Sequence, residues 1–394
     1  MPEKIRLLTP GPTPLPERVR LALAKDMLHH RKGEFMAVMG RAQENLRLLF
    51  GTAGPVLPLS CSGTGAMTAA VHSLFQPGEK VLVVEAGKFG QRWEQIAAMR
   101  GLETATLSAP WGEAISAPAV EERLREDPAI AGVLLQHSET STGVLHPVRE
   151  VAEVCRRSGA LLVVDGISAV GLCPCPMDEW GIDCLLTGSQ KGLMLPPGLA
   201  LLALSPRAWK KAESVSPNCF YFNLLKERDS LAKGQTNFTS PVNLIVGLDE
   251  ALALLLENGL EAVYVKQWGL TMLARAGVRA MGLVLFAEKD FAWGITSVLL
   301  PEGVDGGQVL RCAAEKFGVL FAGGQDHLKG RLVRIGHMGH VDWADVAAGL
   351  FALNQALKDA GGFCGSRDYL EQALAAWRAA LAVPPGETPP MTHS

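Results

Sequence analysis

Two charged residues stand alone in apolar surroundings, and their types suggest carbonyl chemistry. Lys191 lies in Asp183–Gly198, DCLLTGSQKGLMLPPG, and is the only charged side chain between Asp183 and Arg207. It follows an apolar run (Cys184, Leu185, Leu186) and four small or polar residues, Thr187, Gly188, Ser189 and Gln190. Desolvation disfavours the ammonium form of such an amine and lowers its pKa. A partly neutral lysine at a strand end can attack a carbonyl and hold it as a Schiff base; a solvated loop lysine is the plain alternative. Asp165 closes the apolar run Ala160–Val164 and is the only charged residue from Ser158 to Met177. A carboxylate at the end of a buried strand needs a cationic partner, because an unpaired buried charge is expensive. The ring N–H of a pyridinium would meet that need, whereas a local N-cap would be the structural explanation.

Other strand ends carry compatible groups. Ser62-Gly63-Thr64-Gly65 sits between a strand and a helix, where hydroxyls and free backbone N–H groups form an anion site or a simple helix cap. Phe89, among glycines past the next strand, offers a flat ring for stacking or for the core. His137-Ser138-Glu139-Thr140-Ser141-Thr142-Gly143 brings three consecutive hydroxyls to a strand terminus, as ligand donors or as a turn. Ser168 follows Asp165 closely. A phosphate-type loop, an aromatic, an aspartate and a lysine, in this order along the chain, are the set that pyridoxal phosphate requires of a protein.

The elements that must position these groups alternate. Strands are expected at Val56–Ser60, Lys80–Val84, Leu102–Leu107, Ile130–Gln136, Ala160–Val164, Cys184 onward and Leu199–Leu204. Helices are expected at Phe35–Phe50, Ala66–Leu74, Gln91–Met99, Ala117–Arg125 and Val148–Arg157. Continuous apolar strands between helices indicate an α/β fold, a mostly parallel sheet covered on both faces. From Val242 the chain changes to long Ala- and Leu-rich helices with two short strand candidates, Gly294–Leu300 and Arg331–Ile335. The expected organisation is an extended, proline-rich arm over 1–15, a large cofactor-binding domain over 16–258, a smaller C-terminal α+β domain over 259–382 and a disordered tail over 383–394. A helix from about residue 16 would place Val19, Leu21, Leu23 and Met27 on its apolar side. The basic cluster at His30, Arg31 and Lys32 is either a solvated helix end or an anion-facing loop.

Composition narrows the classes. The chain has 394 residues, 48% hydrophobic and 20% charged, with net charge −3, so neither nucleic acid nor an anionic membrane is expected as partner. No signal-peptide or membrane-spanning run is read, and a cytoplasmic protein is expected. The eight cysteines show no paired Cys-x-x-Cys pattern, so free thiols and no metal site are expected, Cys173-Pro174-Cys175 included.

Taken together, the chain resembles the class V pyridoxal-phosphate aminotransferases, and within them the alanine/serine–glyoxylate (serine–pyruvate) group. The matching motifs are Thr9-Pro10-Gly11-Pro12-Thr13, Ser62–Gly65, HSETSTG at His137–Gly143, Val164–Ser168, Gly188–Gly192, TNFTSP at Thr236–Pro241 and Arg334–Gly339. The resemblance implies fold type I of the pyridoxal-phosphate transferases and a homodimer with shared active sites. It implies that Lys191 is the Schiff-base lysine and proton carrier, and that Asp165 keeps the pyridine nitrogen protonated. It further implies that Phe89 stacks on the ring and Ser141 bonds the phenolic oxygen. Ser62, Gly63, Thr64, Ser168 and Gln190 are implied to hold the cofactor, joined by Thr236 or Thr239 from the neighbouring subunit. Arg334 is implied to clamp the substrate carboxylate, with Gly11 lining the same pocket. Members of the group often carry Trp, His and Tyr at the positions of Phe89, Thr64 and Thr236, which bears on substrate preference. A cysteine desulfurase of the same fold is the second reading. Such enzymes place His before the lysine, where this chain has Gln190, and need a mobile loop cysteine, a context that neither Cys312 nor Cys364 offers. A non-catalytic subunit of the fold is the third reading.

Overall fold

The computed structural model describes residues 4–216, 218–361 and 366–382. Its centre is a seven-stranded sheet. The order across it is Val56–Leu59, Ala200–Leu204, Cys184–Gly188, Leu161–Asp165, Ile130–Gln136, Lys80–Glu85 and Glu103–Ser108. Only Ala200–Leu204 runs against its neighbours; the other adjacent pairs are parallel. The inner strands are buried along their whole length, as expected of a sheet covered on both faces. Because Val56–Leu59 points the same way as the parallel strands, five strand ends deliver Ser62, Phe89, Glu139, Asp165 and Lys191 to one edge. That edge is where open α/β sheets bind ligands.

The main apolar core runs from Val19 to Leu252 and packs both faces of this sheet. A second core joins Leu8 to residues between Leu270 and Tyr369 and Ala373. It surrounds a four-stranded antiparallel sheet ordered Val284–Leu285, Ile295–Leu299, Leu332–Gly336 and Ala322–Gly323. The long helices Leu260–Ala280 and Trp343–Gly361 cover it together with Tyr369–Leu381, which the sequence pattern did not reveal.

Several expectations need correction. The extended arm contains a strand after all, because Arg6–Leu7 pairs in parallel with Val319–Leu320. Leu8 then enters the second core and its carbonyl accepts from Gly336 N at 2.7 Å. The first helix is only Glu17–Leu23; Leu21 and Met27 are exposed rather than apolar-face residues. Helix Lys88–Arg100 starts three residues before the expected Gln91, so Phe89 belongs to its first turn and not to a glycine-bounded loop. Gly63–Leu74 likewise starts three residues before Ala66. The tail 383–394 and Cys364 lie outside the described residues; the seven described cysteines are unpaired.

Candidate active site

Lys191 follows the strand Cys184–Gly188 and is only 9% exposed. Thr13 and the Thr9–Thr13 segment cover it. Thr13 N donates to Gln190 O at 3.2 Å, and Thr13 Oγ1 donates to Lys191 O at 3.0 Å. Lys191 Nζ donates to Pro10 O. Gly11 has φ +135°, and a Cβ there would lie 2.7 Å from Lys191 Cδ, Cε and Nζ, so only glycine lets the arm cross the lysine. Gly192 is equally constrained from the other side, since a Cβ would meet Val170 O at 2.7 Å. Burial is the main reason that the Lys191 pKa falls to about 8. Asp165 opposes the shift, while Arg334 and Arg92 reinforce it.

Asp165 ends the adjacent strand and is 5% exposed. Its Oδ1 accepts from Ile167 N at 2.8 Å, and no lysine or arginine pairs with it among the described residues. Burial lifts its pKa to about 7; the Ile167 bond opposes this, Glu139 adds to it, and Lys191 and Arg92 pull it down. A half-ionised buried carboxylate without a cation is the environment that a pyridinium N–H would complete.

Around this pair, Ser62 caps helix Gly63–Leu74 without a side-chain bond. Gly65 N and Ala66 N both bond to Ser62 O, leaving the Gly63 and Thr64 N–H groups at the open helix end. A Cβ at Gly63 would fall 2.3 Å from Ile167 Cδ1, so the helix start abuts the turn after Asp165. Gln190 Oε1 is buried without a partner. Phe89 is half-buried and carries the Arg92 guanidinium 4.7 Å from its ring centroid. Arg92 Nη1 also donates to Thr64 Oγ1 at 3.0 Å.

The hydroxyl run resolves differently from expectation. Ser141 Oγ donates to Glu139 Oε1 at 2.5 Å and accepts from Lys88 N at 3.0 Å, so it is already engaged behind the helix start. It is Thr140 whose Oγ1 lies 2.7 Å from Ser168 Oγ, and whose carbonyl accepts from Arg334 Nη1 at 2.9 Å. Ser141, expected at the phenolic oxygen, is thus held by Glu139 and Lys88, while Thr140 is the hydroxyl on the Ser168 and Arg334 side. Arg334 Nε donates to Gly323 O at 3.0 Å. The guanidinium is therefore fixed by two carbonyls, is 8% exposed, and has no acidic partner among the described residues.

The loop residues Thr236 and Thr239 are not joined to this cluster by contacts within the chain. Thr236 Oγ1 donates to Phe238 O at 2.7 Å within its own loop. The basic cluster lies beside the same loop, with Arg31 Nη1 donating to Gln235 Oε1 at 2.9 Å. Arg92 and Glu139 went unrecognised in the sequence. The first reads as an ordinary charged residue in the first turn of the expected helix Gln91–Met99, and the second stands among polar turn residues.

A buried lysine of lowered pKa facing a buried aspartate, above an open helix N-terminus, defines a pyridoxal-phosphate enzyme of fold type I. The family described as aminotransferase class-V matches residues 9–339, and the chain belongs to it. It is 34% identical over 373 residues to the serine–glyoxylate aminotransferase of Methylorubrum extorquens, covering 91% of this chain and 92% of that one. It is 40% identical over 365 residues to a Synechococcus protein described as the small subunit of a soluble hydrogenase, covering 92% and 95%. Among solved structures, the alanine–glyoxylate aminotransferase of Nostoc superposes with TM-score 0.86 at 33% identity, covering 91% of this chain and 96% of that one.

Pyridoxal phosphate supplies an electron sink for the bonds around the amino carbon of a bound amino acid. The residues present fit that group: a reactive amine, a carboxylate awaiting a cation, and an anion cup at a helix end.

Proposed function

We propose that this aminotransferase moves an amino group between a small amino acid of alanine or serine type and a small 2-oxo acid such as glyoxylate or pyruvate. The exchange is ping-pong, with donor and acceptor using one site in turn. The observation that carries this reading is Arg334, a buried guanidinium held by two backbone carbonyls and lacking any acidic partner among the described residues. A planar fork fixed in this way is suited to a carboxylate. In this reading Arg334 orients the substrate carboxylate, and Gly11 leaves room for it beside Lys191. Lys191 would hold the cofactor through its amine and, when that amine is free, would carry a proton at Nζ. Its pKa near 8 lets it hold or release that proton near neutral pH. Asp165 holds a proton on the pyridine nitrogen. Ser62, Gly63, Thr64 and Gln190 bind the phosphate, Phe89 covers the ring, and Thr140 with Ser168 lines the opposite side.

A homodimer in which Thr236 or Thr239 reaches the partner's phosphate site belongs to the same proposal, as do the 16–258 and 259–382 domains and a cytoplasmic location. No helix of the described residues is long and apolar enough to cross a membrane.

The test is a half-reaction panel. Single amino acids are added to the loaded protein, and loss of the visible cofactor band is followed together with formation of the 2-oxo acid. Alanine or serine should bleach the band, and glyoxylate or pyruvate should restore it. Sulfide release from cysteine would instead favour a desulfurase. A protein that ignores every donor and the cofactor itself would favour a non-catalytic subunit.

A further inference from the structure

We propose that Glu139 is the positioning residue of this site: its carboxylate anchors the first turn of helix Lys88–Arg100 and so fixes Phe89 and Arg92. Glu139 is fully buried in the two-residue strand Ser138–Glu139, just past the central strand Ile130–Gln136. Five donor contacts converge on its two oxygens. Oε2 accepts from Phe89 N at 3.1 Å, Gly90 N at 3.2 Å and Gln136 Nε2 at 3.2 Å. Oε1 accepts from Ser141 N at 3.0 Å and Ser141 Oγ at 2.5 Å. No lysine or arginine pairs with it among the described residues. Burial raises the Glu139 pKa, and the bonds from Ser141, Gly90 and Phe89 oppose that shift, so the converging donors are what favour its carboxylate form.

The fit is selective for a carboxylate. A glutamine of the same shape would turn an NH₂ group toward N–H or O–H donors at one oxygen position or the other. The helix N-cap is Gly87, which has no side chain to cap with, and a Cβ there would sit 2.4 Å from Glu139 Cδ. The glycine thus admits the glutamate that replaces a local cap. The anchored turn carries more than backbone. Phe89 and Arg92 are one turn apart on it, and Arg92 reaches Thr64 in the phosphate cup. One carboxylate accordingly ties the central sheet to both the aromatic cover and the anion cup. The consequence for cofactor binding rests on the reading of Phe89 as that cover.

The experiment compares Glu139→Gln, Phe89→Ala and the double variant. Cofactor affinity is measured by absorbance titration of the cofactor-free protein, and backbone amide exchange is measured without cofactor. Glu139→Gln should accelerate exchange at residues 88–92 and weaken cofactor binding roughly tenfold, the scale of one lost charged hydrogen bond. Phe89→Ala should weaken it too, and the double variant should bind little worse than the weaker single one. Unchanged exchange and affinity in Glu139→Gln at wild-type melting temperature would overturn the proposal, as would losses that multiply in the double variant. If Phe89→Ala binds cofactor normally, the ring-cover reading fails, while the exchange data still decide the anchor. Should Glu139→Gln fail to fold, the wild-type protein decides: fast exchange of the Phe89 and Gly90 amides would sink the anchor, and strong protection supports it.

Discussion

Gly11 and Lys191 are in contact across the site: the face of Gly11 where a Cβ would stand is filled by the lysine's last three side-chain atoms. The arm is thus a wall of the lysine's cavity, and its carbonyl at Pro10 is the hydrogen-bond partner of the free amine. Gly11→Ala combines a steric overlap with a φ that alanine rarely adopts. It should lower kcat/KM at least ~10-fold by displacing the arm or the lysine, at a cost in folding stability of about 1–3 kcal/mol. Half-reaction kinetics and thermal melts check both.

Lys191→Ala should abolish the visible band of the covalently held cofactor and reduce transamination by ~10²–10⁴-fold or more through loss of the proton carrier alone. Without cofactor, Lys191→Met should melt no lower than the wild type below pH 8, because a buried ammonium is replaced by an apolar chain of similar length. A visible band that survives Lys191→Ala would remove the lysine from its assigned place.

The combined contribution of Asp165 and Lys191 to the stability of the cofactor-free protein should be smallest near pH 7–8, on top of the opposite acid-range trend set by the buried, neutral His137, His146 and His337. Asp165 has a folded-state pKa of about 7, above its ordinary carboxylate value. The folded state therefore binds the extra proton, and this contribution is present at acid pH and lost as pH rises toward 7. Lys191 has a folded-state pKa of about 8, below the usual lysine value. The unfolded state then binds the extra proton, so stability returns as pH rises from about 8 toward the free lysine range. In the difference between wild-type and variant melting-temperature profiles, Asp165→Asn should reveal a loss of stability as pH rises from about 4 to 7, and Lys191→Met a gain above about pH 8. Parallel profiles for wild type and both variants would contradict the assignment.

Arg334→Gln removes a fixed cation while keeping hydrogen-bonding capacity. For a substrate carboxylate held by charged hydrogen bonds worth about 1.5–3 kcal/mol, kcat/KM should fall roughly 10–100-fold. The loss should be much smaller for an amine substrate that lacks the carboxylate. An equal loss for both substrates would mean that Arg334 supports the fold and not the carboxylate.

The sequence exposed the parts of the site whose signal is local. Asp165 and Lys191 were legible because each is a lone charge closing a continuous apolar strand, a pattern that burial makes costly without a partner. The parallel sheet was legible for the same reason. The separate contacts of Thr140, Ser141 and Thr142 were not legible, because a tight turn has no fixed period and one residue of phase decides which neighbour each hydroxyl meets. Glu139 was missed because its donors come from residues some fifty positions earlier as well as from its own turn. The place of Phe89 in a helix was lost with the helix start, since Gly87-Lys88-Phe89-Gly90 reads as a turn until a distant carboxylate is seen to cap it. The strand at Arg6–Leu7 could not be read because its partner, Val319–Leu320, is supplied by the far end of the chain.

That last pairing also makes the arm a seam between the two cores. Arg6–Leu7 pairs with Val319–Leu320 and Leu8 packs into the second core, whereas Thr13 bonds to Gln190 O and Lys191 O at the end of the central sheet. The wall over Lys191 is therefore pinned from both sides, so any shift of one core against the other pulls on the lysine's cavity.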